Sequence, residues 1–191
     1  GRELRDRLIA RARSGVRVYF LYDEIGSHEL PADYGAALER AGVVFRAFNT
    51  TRGSGNRFQL NFRNHRKIVV ADGRIGWVGG HNIGDEYVGR DPRAPKWRDT
   101  HMRVEGPATL ELQVAFVEDW RWATDELLEL AWAPRAPDGG SATVLVLPSG
   151  PADRLETAGL MYQQAIHSAQ RRIWISSPYF VPDEAVMSAL H

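Results

Sequence analysis

The stretch HRKIVVADGRIGWVGGHN, residues 65–82, decides how this chain is read. It sets His65, Lys67 and Asp72 at the spacing H-x-K-x4-D, followed by Gly79, Gly80 and Asn82. Asp-Gly between two apolar runs is the strongest short-range hairpin signal, because both positions tolerate positive φ. The pattern therefore predicts a strand over 66–71, a two-residue turn at Asp72-Gly73 and a second strand over 74–79. Strand side chains alternate with period two, so His65 and Lys67 project from one face. A two-residue turn pairs residue 71 with 74, which sets Lys67 opposite Val78 and His65 opposite Gly80. Glycine at that position lets a bulky ligand approach the backbone. A nucleophile, a cation and amide donors then converge where a phosphodiester fits.

Each residue has an ordinary reading when taken singly. Asp72 is a good turn former, paired glycines mark bulges, and a lone strand histidine is usually structural. His28, His81, His167 and His191 are read that way. None of these readings accounts for the other residues at their offsets, and with only two lysines in the chain the coincidence is rare.

The set resembles the HKD motif of the phospholipase D superfamily, H-x-K-x4-D-x6-G-S-x-N, with Gly80 in place of the serine. Its flanks resemble bacterial cardiolipin synthases: Tyr22-Asp23 with Gly26-Ser27, Arg63-Asn64, Trp97 to His101, Glu105-Gly106-Pro107, and Ser177 to Asp183. The resemblance implies an α/β fold of the phospholipase D-like kind, a mixed sheet flanked by helices, with one nearly complete unit and the start of a second. It implies that His65 attacks phosphorus to form a phosphohistidine and that Lys67 holds a non-bridging oxygen. Asn82 and the Gly79–Gly80 backbone complete the cradle, with a backbone N–H at Gly80 replacing the serine hydroxyl. Asp99 matches the approximate position of an acidic residue that orients the imidazole. Asp72, although part of the motif, suits holding the hairpin better than touching substrate.

The implied substrate is phosphatidylglycerol at a membrane surface, the bacterial inner membrane for the parent protein. No cofactor, metal or nucleic acid is expected. Members of the superfamily use two HKD elements, and only one occurs here. The second is expected from a C-terminal region beyond residue 191 or from a dimer mate. Two other readings compete with phosphatidyl transfer: the same chemistry with water as acceptor, in a phospholipase or nuclease, and a non-catalytic half that binds phosphate or lipid.

Composition sets the outer bounds. Twenty-four basic residues balance 24 acidic ones, which argues against binding a polyanion through bulk charge. The absence of cysteine excludes disulfides and thiolate metal sites. No apolar run approaches the roughly 20 residues of a spanning helix. Periodicity predicts helices at 2–13, 31–41, 108–132, 155–169 and 183–191, and strands at 16–22, 43–48, 101–105, 143–147 and 172–177. The stripe Leu112, Phe116, Trp120, Ala123 and Leu127 reads as core. The composition break at PRAPDGG divides the chain into a first unit, 1–133, a linker, 134–142, and the beginning of a second unit, 143–191. In loop 49–63, Arg52, Arg57 and Arg63 suit either contact with lipid phosphates or a solvated loop, and the 84–97 loop, with Tyr87, Lys96 and Trp97, suits either a membrane contact or a core contact.

Overall fold

A computed structural model describes residues 1–48, 63–93, 97–150, 153–177 and 179–191. Arg52, Arg57, Lys96 and Pro178 lie outside the described residues. The chain divides into two compact units, Gly1–Val146 and Leu147–His191.

The first unit opens with helix α1 (Arg2–Arg13), strand β1 (Tyr19–Asp23), helix α2 (Ala32–Arg40) and strand β2 (Val44–Phe48). Glu3 in the first turn of α1 and Arg11 and Arg13 in its last turn complement the helix dipole. Strands β1 and β2 pair in parallel, Tyr19 opposite Val44 through Asp23 opposite Phe48, with α2 as the crossover. Buried Tyr34, Leu38, Val43 and Phe45 form a core against which Leu8, Ile9 and Ala12 of α1 pack. A Cβ at Gly35 would lie 2.7 Å from the Phe45 ring, so the missing side chain lets α2 settle on β2.

The hairpin follows as β3 (Ile68–Ala71) and β4 (Ile75–Gly79), and β5 (His101–Glu105) pairs antiparallel with β4. Helix α3 (Ala108–Thr124) packs on β2 and on all three of these strands. The fold is α/β as expected, but the single mixed sheet resolves into two small sheets, β1-β2 and β3-β4-β5. Where the backbone returns beside the end of β1, the Asn64 N–H donates to the Asp23 side chain rather than to a strand carbonyl.

The turn forms at Asp72-Gly73, both with positive φ (54° and 66°), and the Arg74 N–H closes it onto the Ala71 carbonyl at 3.0 Å. The register is nevertheless one residue off the expected one: Ala71 pairs with Ile75 and Ile68 with Val78. Arg74 is drawn out of the ladder because its carbonyl accepts from the Gly106 N–H at 3.2 Å and from the Thr109 hydroxyl at 3.3 Å. Carried on past β3, this register sets Lys67 opposite Gly79 and His65 opposite His81, correcting the expected partners Val78 and Gly80.

Helix α3 stops eight residues short of the predicted end. Asp125 takes the left-handed conformation with φ 63°, its N–H donates to the Arg121 carbonyl, and the Thr124 hydroxyl bonds back to Trp120. The chain then returns along the helix, where the buried Gln113 amide donates to the Ala131 carbonyl at 2.8 Å. Leu127 is consequently exposed and leaves the apolar stripe, whereas Leu112 and Trp120 are buried as expected.

In the second unit, α4 (Thr157–Ser168) and α5 (Glu184–Leu190) pack on each other. The Asp183 carboxylate caps α5 by accepting from the Val186 N–H at 2.8 Å. Segments 143–147 and 172–177 form no strand, because no ladder partner for them stands among the described residues. No described helix is long and apolar enough to cross a membrane.

Leu38 is fully buried at the centre of the first core. Leu38→Ala should destabilise the protein by about 2–5 kcal/mol in urea unfolding, the usual cost of such a cavity.

Candidate active site

His65 lies just before β3, exposed, in a segment gripped on both sides. On one side is Asp23, at the end of β1. Its Oδ2 accepts from Arg63 Nη2 at 2.9 Å, Arg63 Nε at 3.1 Å and the Gly26 N–H at 2.7 Å, while Oδ1 accepts from the Asn64 N–H at 3.2 Å. On the other side is Asp119 of α3, which accepts from Asn64 Nδ2 at 2.9 Å and pairs with Arg66. The Asn64 side-chain oxygen takes the Arg66 N–H at 3.0 Å. Residues 63, 64 and 66 are thus fixed by two largely buried carboxylates while the imidazole between them faces solvent. Hydrogen bonds to charged groups are each worth about 1.5–3 kcal/mol, enough to hold an irregular segment in one shape.

Lys67 is half-buried and curls back so that its ammonium donates to the His65 carbonyl at 2.6 Å. Lys67 is thus tied to the main chain of His65 rather than to its ring. Partial burial lowers the His65 pKa from the ordinary imidazole value, the charges of Lys67 and Arg63 lower it further, and Asp23 opposes them. The Lys67 pKa is also lowered, chiefly by burial and secondarily by Arg63, against the raising effects of Asp23 and Asp99. At neutral pH the imidazole is consequently biased toward the neutral form a nucleophile requires.

The remaining expected residues distribute differently. Asp99 accepts from Trp97 Nε1 at 3.1 Å and from the Thr100 N–H at 2.7 Å. Its pKa is lowered, first by the Trp97 hydrogen bond, then by the Thr100 N–H and the charges of His81 and His101, with burial opposing. The charged groups felt at His65 are Lys67, Arg63 and Asp23. Asn82 donates to the Tyr87 hydroxyl at 2.8 Å, and Tyr87 packs edge-on against Trp97 and near His81. A second cluster therefore stands beside the motif: Asn82, Tyr87, Trp97 and Asp99, with His81 and His101 in ring contact.

Arg63, expected to contact substrate, instead gives two guanidinium N–H groups to Asp23. Asp72 sits exposed at the turn, on the order of 20 Å from His65 along an extended chain. It stands in the turn with positive φ. The Gly80 N–H, expected to be free for a phosphate oxygen, donates to the Thr100 carbonyl at 3.3 Å. A Cβ at Gly80 would run into the Asp99 carboxylate, which gives a physical reason for glycine where the motif has serine. Among the described residues no group of acidic and histidine side chains is arranged to hold a metal.

Comparison with known proteins now bears on this geometry. The chain is 54% identical over 190 residues to cardiolipin synthase A of Pseudomonas putida strain GB-1, an alignment covering all of this chain and 40% of that protein. The chain is a relative of the bacterial cardiolipin synthases A. The corresponding protein of Pseudomonas fluorescens strain Pf-5 is 55% identical, and that of Pseudomonas syringae pv. syringae B728a 54%, over the same 190 residues and the same shares. The chain thus spans about two fifths of the length of the curated cardiolipin synthases it matches. No protein-family profile and no solved structure matches it.

Sequence reasoning missed the grip on the nucleophile segment. Asp23 entered only as part of a flank, and Asp119 not at all. A signal for each was present: Asp23 is an acidic residue at the carboxyl end of a parallel strand, where α/β sites gather, and Asp119 is a carboxylate beside the apolar stripe of α3.

Gly79 and Gly80 separate cleanly in their consequences. A Cβ at Gly79 would strike the Thr100 carbonyl and the His101 backbone, which cannot move aside, whereas at Gly80 it meets only the end of a side chain. Gly79→Ala should destabilise by about 1–3 kcal/mol, the range of an overpacked site, and Gly80→Ala by clearly less. Denaturant unfolding of the two variants checks the order.

Proposed function

We propose that this chain supplies the nucleophile half of a phosphatidyl transferase that makes cardiolipin from two molecules of phosphatidylglycerol at a membrane surface. The observation that carries the reading is an exposed His65 imidazole with the half-buried Lys67 bonded to the same residue's carbonyl, in a chain similar along its whole length to cardiolipin synthases A.

A phosphodiester resists attack because its charge repels nucleophiles and its alkoxide leaves poorly. Covalent catalysis divides the exchange into two displacements. A ring nitrogen of neutral His65 attacks phosphorus; the P–N bond forms, the bond to one glycerol oxygen breaks, and glycerol departs after taking a proton. The primary hydroxyl of a second phosphatidylglycerol then attacks the phosphohistidine, the P–N bond breaks, and its proton is removed. The sum is two phosphatidylglycerols to cardiolipin and glycerol. Lys67 offsets charge on a non-bridging oxygen as a compact cation. Asn82 and the Asp99 cluster line the neighbouring ground, where the departing or incoming glycerol would sit.

The proton donor for the departing glycerol is the second histidine of a two-motif assembly, from a further segment of a longer chain or from a second copy of this one. The parent would work at the bacterial inner membrane. The lengths of the relatives leave ample room for a second motif.

In the active assembly, His65→Ala should lower cardiolipin formation by three orders of magnitude or more while thermal unfolding stays near that of the wild type. Chromatography of the lipid products checks both halves of the claim, since phosphatidic acid without cardiolipin would mark water as the acceptor. The pH–rate profile should fall on the acid side as His65 protonates. Because the His65 pKa is lowered, that fall should lie below the ordinary imidazole range, leaving the rate flat near neutrality.

A further inference from the structure

We propose that Asp23 is a positioning residue for His65: its carboxylate fixes the main chain immediately before the imidazole. The inference rests on His65 being the reacting group. Asp23 is on a different element from the motif, 42 residues away in sequence, yet it bonds to Arg63 and Asn64 of the segment and to Gly26 of its own turn. It takes two N–H groups of Arg63 and the backbone N–H of Asn64, the residue immediately before His65. Its side chain is only 12% exposed, so these bonds are shielded from water.

Geometry makes the consequence specific. Asp23 holds the main chain at residue 64, and Asp119 holds the side chains of Asn64 and Arg66, so the chain is anchored on either side of His65. Both acids grip the strand, but they differ in what the imidazole feels. Arg63 and Lys67 are positive neighbours of His65, and Asp23 is the negative one; Asp119 is not among them. Asp23 therefore does two things through one carboxylate. It orients the nucleophile, and it offsets two cations that would otherwise drain the basicity of the ring. Asp99, for comparison, accepts from Trp97 Nε1 and the Thr100 N–H.

The experiment is a histidine-resolved NMR titration of the full chain without substrate, the His65 resonance being assigned by its loss in His65→Ala. In Asp23→Asn the His65 midpoint should fall by roughly half a pH unit or more, since a negative neighbour is lost and Arg63 is left unbalanced. Asp23→Glu should bring it back toward the wild-type value. Arg63→Gln should move it the opposite way, upward, and serves equally if Asp23→Asn does not fold. Asp119→Asn should leave the midpoint in place. A His65 midpoint unmoved in Asp23→Asn, or in Arg63→Gln, would overturn the proposal. In the active assembly Asp23→Asn should lower kcat about 10–100-fold with KM within about twofold, the signature of a misaimed group. A loss confined to KM would equally contradict it. Because the titration uses no substrate, it stands or falls apart from the transfer reaction itself.

Discussion

The Asp23 carboxylate sits where the parallel strand β1 ends and the motif segment begins, and it bonds to both. It takes Arg63 and the Asn64 N–H, so a side chain ties the end of β1 to residues 63 and 64. The choice has a chemical logic. A ladder would have drawn residues 63–66 into a regular strand with alternating faces, whereas side-chain acceptors can hold them in the irregular shape seen here. Asp119 does the same from α3, the helix that touches β2 and all three strands of the second sheet. The nucleophile segment is therefore anchored to one element from each side and lies on neither.

For the nucleophile role proposed for His65, this arrangement reconciles two demands. A nucleophile has to be accessible, which favours exposure, and it has to be aimed, which favours burial. Burying the carboxylates that grip the neighbouring residues, while leaving the ring itself exposed, meets both. It also explains the direction of the His65 shift. Partial burial and two nearby cations keep the ring neutral at ordinary pH, and Asp23 limits how far its basicity falls.

Much of this was legible in the sequence, and the reasons for what was not are particular. The helices near 2–13 and 31–41 and the strand at 101–105 follow from local periodicity, and the Asp72-Gly73 turn from the two left-handed positions it contains. The register did not follow, because the Arg74 carbonyl is claimed by Gly106 and Thr109 from more than 30 residues away. The end of α3 was misread because Asp125 takes the left-handed conformation that glycine normally signals. Strands expected at 143–147 and 172–177 had the composition for it, but a strand exists only with a partner. Of the candidate site, His65 and Lys67 are proposed from their spacing. Gly80 was not legible there, since the Asp99 carboxylate that excludes a side chain at that position arrives from another strand end.

The central claim is that His65 carries the phosphatidyl group between donor and acceptor. Rapid quenching of the active assembly with phosphatidylglycerol under basic conditions, where phosphohistidine survives, followed by peptide mass spectrometry, tests it most directly. The account predicts a phosphatidyl adduct on the His65 peptide that forms within one turnover and decays as cardiolipin appears. Cardiolipin formed while the His65 peptide stays unmodified, with the adduct on another residue, would contradict it.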